Sequence, residues 1–227
     1  LTTITPYPND WYRISVTATA NNAGYFWVRI YNQPEGSGFI LWGGQVEAGS
    51  FPSSYIPTDN NASASRGADL VEITEEEFSE FYNRTEGSIV SEIMLPSSWP
   101  MSGYGSYMMT LSDGSYNNRV TLASNTGSAQ FSADINIGSS TPTRANLGSY
   151  TSGSHSIKGA MAYKASDSAG SLNGAAAVTS SPGTLPLLTR ADIGKDHANY
   201  NLLNGHMKRL MYYSKRLSNN QLRTLTS

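Results

Sequence analysis

Apolar and polar residues alternate along much of this chain, and the alternation predicts strands rather than helices. From Trp11 to Ala18, Tyr12, Ile14, Val16 and Ala18 fall on one side and Trp11, Arg13, Ser15 and Thr17 on the other, the period of a half-buried strand. A turn at Asn21-Asn22-Ala23-Gly24 leads to a second strand over Tyr25 to Tyr31, with Phe26, Val28 and Ile30 on one face. Phe39 to Glu47 supplies a third. Three strands in under sixty residues cannot close a sandwich, which takes about seven.

The pattern restarts after a Ser-, Pro-, Asn- and Gly-rich stretch, Gly49 to Ala64, of the composition that marks linkers. Leu70 to Ile73 reads as a strand. Thr74-Glu75-Glu76-Glu77 fits a capping box, the Thr74 hydroxyl and Glu77 carboxylate capping a short helix through Phe81. Ser88 to Leu95 is apolar on both faces and so predicted central. Tyr107 to Leu111, Asn118 to Ala123 and Gln130 to Ile137 follow as antiparallel strands. In the last, Phe131, Ala133, Ile135 and Ile137 are expected to face the core and Ser132, Asp134 and Asn136 to face out. Period two returns from His155 to Ala165, Leu172-Asn173-Gly174-Ala175 resembles the hairpin in which a known class of β-sandwich crosses back, and Met207 to Tyr213 reads as a closing strand. Ser218-Asn219-Asn220-Gln221 is a second capping box opening a terminal helix.

Composition narrows the class further. The 227 residues include 21 Gly and only 14% charged residues, the make-up of short strands joined by turns. A formal charge of -2 argues against a nucleic-acid or anionic-membrane partner, and no apolar run approaches the ~20 residues a membrane helix needs. With no cysteine, disulfides, thiolate catalysis and zinc-thiolate sites are excluded together. The segment Asp59 to Glu92 is acidic and the last forty residues are basic. The nearly uncharged middle suits a neutral or mixed glycan, while charged ends also fit terminal strands that lie close together.

The segment between the two strand-rich parts carries a family likeness. Trp42-Gly43-Gly44-Gln45-Val46-Glu47-Ala48-Gly49, Pro52-Ser53-Ser54-Tyr55-Ile56-Pro57-Thr58 and Arg66-Gly67-Ala68-Asp69 resemble the WGAQLEEG, PTSYIPT and TRAAD sequence of tail-fibre, tailspike and other structural proteins of tailed bacteriophages. Leu203-Asn204-Gly205-His206-Met207-Lys208-Arg209-Leu210, with Tyr212-Tyr213 and Lys215-Arg216-Leu217-Ser218, is similar to the closing strand and helix of their sandwiches. The resemblance implies an all-β, antiparallel concanavalin A-like (laminin G-like) sandwich over residues 69–227, a linker over 59–68, and the C-terminal part of a carbohydrate-binding-module-like jelly roll over 1–58. The chain is then expected to begin partway through that jelly roll, in agreement with the missing initial Met. It further implies a virion protein outside the cell, in contact with other virion proteins and homo-oligomeric, with a trimer favoured.

Candidate chemistry is sparse. Sandwich glycosidases need two carboxylates roughly 5–10 Å apart, and Glu92 in Ser91-Glu92-Ile93 has no second acid at strand spacing. Asp192 and Asp196-His197 lie in a Gly-containing loop and read as solvated or turn-capping residues. His155, His197 and His206 are scattered singly, against a histidine metal site or triad, and His206 reads as part of the closing strand. No catalytic residue and no cofactor are expected. Calcium, which laminin G-like sandwiches often hold at the rim, has one thin candidate in Asp134 with Asn136, a pair that reads equally as solvated face. Asn118-Arg119 resembles a structural pair at a strand start in the phage domains, and Asn83-Arg84-Thr85 matches a glycosylation sequon that a phage protein would leave bare.

Sugar binding needs a flat ring beside polar groups that fix orientation. The loop Pro96 to Tyr107 offers Trp99, Tyr104 and Tyr107, and the next turn offers Asp113, Ser115, Tyr116 and Asn117 as a polar rim. The same rings could pack over the sandwich edge. Tyr25, Trp27, Arg29 and Tyr31 share one strand face and are read as a subunit interface before a sugar site, because Tyr, Trp and Arg dominate interface cores. The leading expectation is a non-catalytic fibre or spike protein recognising a host surface polysaccharide. The alternatives are a purely structural fibre or capsid-decoration module and, with less support, a polysaccharide-degrading enzyme.

Overall fold

Thirteen strands and two short helices are present among the described residues of the computed structural model, which are 2–19, 35–36, 38–48, 52–58, 63–65, 67, 69–95, 105–125, 130–138, 140, 143–149 and 156–227. The chain divides into two compact units, residues 1–67 and 68–227.

In the first unit, β1 (Thr2–Tyr7) and β2 (Trp11–Val16) form an antiparallel hairpin. Its loop contains Asn9 and Asp10 at φ of 60° and 59°, the left-handed region that short polar side chains tolerate. Only β2 follows from the alternation at Trp11 to Ala18. The expected strand at Tyr25 to Tyr31 lies outside the described residues. The expected strand at Phe39 to Glu47 is not formed: Gly43 turns left-handed at φ 69°, and side chains rather than a ladder hold the segment. Gln45 Oε1 accepts the Ile56 amide at 2.7 Å, and Gln45 Nε2 donates to Ser53 Oγ at 3.1 Å. Glu47 accepts from the Ser53 amide and hydroxyl, and Arg13 of β2 donates to the Ser53 carbonyl. The Trp42 ring lies 4.8 Å from that of Tyr55. The sequence that carries the family likeness is therefore a clip closed by its own Gln, Glu, Ser and aromatic residues.

The second unit is a two-sheet antiparallel sandwich. One sheet has the order β11 (Val178–Ser180), β10 (Ser168–Leu172), β9 (Ile157–Lys164), β4 (Glu86–Met94), β13 (His206–Tyr213). The other runs β3 (Val71–Thr74), β12 (Arg190–Ile193), β5 (Tyr107–Ser112), β6 (Arg119–Ser124), β7 (Gln130–Asn136), β8 (Thr143–Ser149). Ile89, Ile93 and Met161 of the first sheet and Leu111, Val120, Leu122, Phe131 and Ile135 of the second meet in one buried core. As the two-sided apolar pattern predicts, β4 is interior, between β9 and β13. The Asn173-Gly174 hairpin joins β10 to β11 with both residues left-handed, at φ 47° and 74°. On the outer side of the five-stranded sheet, α2 (Asn219–Thr226) buries Leu222 against Val90, Ala160, Ala162 and Ala169.

The two capping boxes part company. Ser218 Oγ accepts from the Gln221 amide and Gln221 Oε1 accepts the Ser218 amide, a complete box. Thr74 is the N-cap of α1 (Glu75–Phe81), but its side chain makes no cap hydrogen bond. Thr74 is also the last residue of β3, paired with Arg190, so the sheet sets its backbone and the chain enters the helix through Glu75 at φ 52°. Core packing holds α1 instead: Phe78 is buried, stacked on Tyr82 and edge-on to Phe81.

Candidate functional site

The outer face of the six-stranded sheet is polar, and strand register lays its residues out in rows. Asp192, Thr110, Thr121, Asp134 and Arg144 are successive cross-strand partners from β12 to β8. The next row is Arg190, Ser112, Arg119 and Asn136. Alternation alone places Asp134 and Asn136 on this face correctly but assigns it to solvent. Asp134 and Asn136 are each only 7% exposed, and Ser132 1%. The reason is lateral. Arg144 forks onto Asp134, Nε to Oδ1 at 2.9 Å and Nη2 to Oδ2 at 2.7 Å, and Arg119 Nε donates to Asn136 Oδ1 at 3.2 Å. The fork engages both oxygens of Asp134, the carboxylate named as the calcium candidate. It holds the Arg144 pKa above its ordinary value, the Asp134 hydrogen bond being the main cause.

Asp192 and Asp196 are likewise not solvated; both are fully buried, as is Lys195. Lys195 Nζ donates to Asp192 Oδ1 at 2.8 Å, Asn199 Oδ1 at 2.7 Å and Glu72 Oε2 at 3.3 Å, using all three protons. Arg190 forks onto Asp192 and reaches Glu72. This network seats the loop 194–205 against the sheet. The loop is further tied by Gly194 N to Met108 O, Tyr107 N to Asn201 O and Thr110 Oγ1 to Lys195 O.

Asp196 does cap its turn, accepting the amides of Ala198 at 3.0 Å and Tyr200 at 2.8 Å on Oδ1. Oδ2 accepts from Asn201 Nδ2 at 2.7 Å and the Tyr116 hydroxyl at 2.9 Å. Burial opposes ionisation of this carboxyl, but the four donors together hold its pKa below the ordinary value. The same bond acts oppositely on its partner: burial and then the Asp196 hydrogen bond push the Tyr116 phenol up to about 12. His197 packs edge-on to the Tyr116 ring at 4.3 Å with Nδ1 buried, and burial draws its pKa down.

The residues anticipated for the sugar site and the interface, with His155, fall into three groups. Tyr107 and Tyr116 are brought together through Arg119, whose guanidinium lies 5.3 Å from the Tyr116 ring centre and donates from Nη1 to the Tyr107 hydroxyl at 3.5 Å. Tyr116 is 44% exposed. Asp113 and Asn117 serve the turn: Asp113 accepts from the Ser115 amide and hydroxyl and from Asn118 Nδ2, and the Asn117 amide donates to Ser115 Oγ. Asn118 Oδ1 also accepts the Gly138 amide, in keeping with a structural pair at a strand start. Trp99, Tyr104, Tyr25, Trp27, Arg29, Tyr31 and His155 lie outside the described residues. Sequence reasoning passed over Tyr200 and Asn201 altogether; the signal was the Asn199-Tyr200-Asn201 run, in which both Asn residues are left-handed.

Glu92, the isolated acid on β4, accepts from Ser156 Oγ at 3.0 Å and lies 3.7 Å from Lys208 Nζ. Its pKa is lowered, chiefly by the Ser156 hydrogen bond and then, against some burial, by Lys208, Lys158 and Arg209. Asn83 of the sequon closes its own turn, accepting from Thr85 and donating to the Ser214 carbonyl.

Neither a protein-family model nor a curated protein matches the sequence. Among solved structures, the Ruminococcus gnavus IT-sialidase CBM40 bound to α2,3-sialyllactose is similar at a TM-score of 0.54 and 13% identity, over 70% of this chain and 97% of that one. The chain carries a β-sandwich of the jelly-roll, lectin-like class. A second structure of the same domain matches at a TM-score of 0.52 over the same shares, also at 13% identity. The leech intramolecular trans-sialidase matches at 0.50 and 13% identity over 70% of this chain, which spans about a quarter (27%) of that enzyme. At such identities the likeness is one of fold.

Proposed function

We propose that this chain is a non-catalytic structural protein of a phage virion, part of a fibre or spike, and that its 68–227 sandwich binds a host surface polysaccharide. The observation that carries the glycan reading is Tyr116: a ring 44% exposed, its hydroxyl anchored on a buried carboxylate, with Arg119, His197 and the Tyr107 hydroxyl beside it. That is the combination of ring and fixed polar groups sugar binding requires. The fold shared with a module bound to sialyllactose supports it. The virion assignment, with its extracellular location and homo-oligomeric, trimeric assembly, rests on the resemblance of residues 42–69 and 203–218 to phage tail proteins. Glu92 supports the non-catalytic part in one respect: its pKa is lowered, by Ser156 first and then by Lys208, Lys158 and Arg209, which disfavours a general-acid role.

The test is a binding screen of the purified protein against bacterial capsular polysaccharides and lipopolysaccharides, together with a reducing-end assay on every preparation bound. Binding without release of reducing ends is the expected result. Release abolished by Glu92→Gln would establish a hydrolase instead.

The purely structural alternative has its own observation. On the β1–β2 hairpin, Ile4, Tyr12, Ile14 and Val16 share a face and are each more than 60% exposed, whereas Arg13 and Ser15 on the opposite face are half-buried. Such an inversion of polarity suits a surface made for subunit contact.

A further inference from the structure

Arg119, Arg144 and Arg190 lie on the outer face of the six-stranded sheet, and the last two are neutralised in place. Arg144 forks onto Asp134, and Arg190 onto Asp192 with a further bond to Glu72. Arg119 is different. Its Nε donates to Asn136 Oδ1 at 3.2 Å and its Nη1 to the Tyr107 hydroxyl at 3.5 Å, while Cζ stands 5.3 Å from the centre of the Tyr116 ring. An amide, a phenol and an aromatic face fix the position of this guanidinium without cancelling its charge. Nη2 is left without a partner among the described residues.

The surrounding carboxylates are committed elsewhere: Asp134 to Arg144, Asp113 to Ser115 and Asn118, and Asp196 to Ala198, Tyr200, Asn201 and Tyr116. Asp196 is also fully buried, whereas Arg119 is half-buried, so of the two charges beside Tyr116 the accessible one is the cation. Two buried polar atoms here have no hydrogen-bond partner among the described residues. They are Thr121 Oγ1, on the same face two residues along β6, and Nδ1 of His197, which packs edge-on to Tyr116. Buried polar atoms are ordinarily satisfied, and these leave polar capacity that the fold itself does not use.

We propose that Arg119 is the specificity-determining residue of the glycan site and recognises an anionic substituent, a carboxylate or a phosphate, on the bound polysaccharide. The inference rests on the glycan-binding reading and names the class of sugar. A guanidinium fits the oxygens of either anion, and one held by neutral partners is pre-organised for it. The nearly uncharged middle of the sequence agrees with a glycan of mixed character, since a single uncompensated cation selects a single anionic group.

The experiment measures binding of wild type and Arg119→Gln to carboxylate-bearing, phosphate-bearing and neutral bacterial capsular polysaccharides, with a melting curve of each protein. Every acidic polysaccharide bound is tested again after chemical reduction of its carboxyls to alcohols or removal of its phosphates, which tells the two anions apart. Wild type is expected to bind acidic members and to lose about tenfold or more in affinity once the anionic group is gone, the scale of one charge-assisted pair. Arg119→Gln should lose about as much on the native polysaccharide and far less on the neutralised one, a difference that general damage to the site does not produce. If Arg119→Gln does not fold, Arg119→Lys takes its place, and loss of the planar guanidinium should again weaken the native polysaccharide more than the neutralised one. Equal wild-type affinity for native and neutralised forms, or equal weakening of both by the substitution, overturns the role of Arg119 while leaving glycan binding in place. Failure of wild type to bind any member overturns both.

Discussion

The buried charges of the second unit are where single residues matter most. Lys195 and Asp192 are both fully buried, and such a pair is held by its hydrogen bonds rather than by net Coulomb gain. Lys195→Met leaves Asp192 with Arg190 alone and frees the loop 194–205. We expect a loss of about 2–3 kcal/mol in denaturant unfolding, somewhat under the full cost of orphaning a buried charge because Arg190 remains. An unchanged midpoint would show that the loop is held without the network. Asp196 makes stability acid-sensitive in a defined window. Its folded pKa lies below the unfolded value, so its contribution is complete above about pH 4, the unfolded carboxylate range, and is lost as pH falls through the lower folded value. Asp196→Asn should flatten the acid limb of a stability-against-pH curve, and an identical limb would contradict this. The turn-capping role of Asp196 was legible beforehand, but the buried partners were not, because an Asp next to a Gly-containing loop looks the same whether water or a lysine three residues on satisfies it.

Among the elements, α2 and α1 show how far a local motif carries. Both begin with a capping-box spelling, yet only Ser218 forms one, since its chain is free to take the cap geometry while Thr74 is committed to a strand pair. Ser218→Ala should cost about 1 kcal/mol and Thr74→Ala less than half of that, measured as paired unfolding midpoints. Leu222→Ala should cost about 2–5 kcal/mol, because Leu222 is fully buried against Val90 and Ala160. A smaller loss would mean that α2 is an adjunct and not part of the core. Strands with strong alternation, β2, β7 and β9, were readable from their residues, and β4 from its two-sided apolar run. β1, β8 and β12 were not: β8 has only Ala145 and Leu147 on its inward face, and β12 is four residues long.

For the whole molecule, the division at residue 67 predicts unequal autonomy. Residues 68–227 contain a closed core and should unfold cooperatively when expressed alone, with a melting curve like that of the matching transition in the full chain. Residues 1–67 expose an apolar hairpin face and an open strand edge, and should be aggregation-prone or lack a cooperative transition. A soluble, cooperatively melting 1–67 fragment would refute this. Ladder alternation and turn residues are local, so the sequence by itself determined that the protein is all-β, that its interior faces carry Ile89, Phe131 and Ile135, and that Asn173-Gly174 turns a hairpin. Satisfaction of polar groups is not local. Whether Asp134, Asp192 and Asp196 meet water or Arg144, Lys195 and Tyr116 depended on register between strands and on a loop returning some eighty residues after Tyr116, and only the tertiary structure decided it.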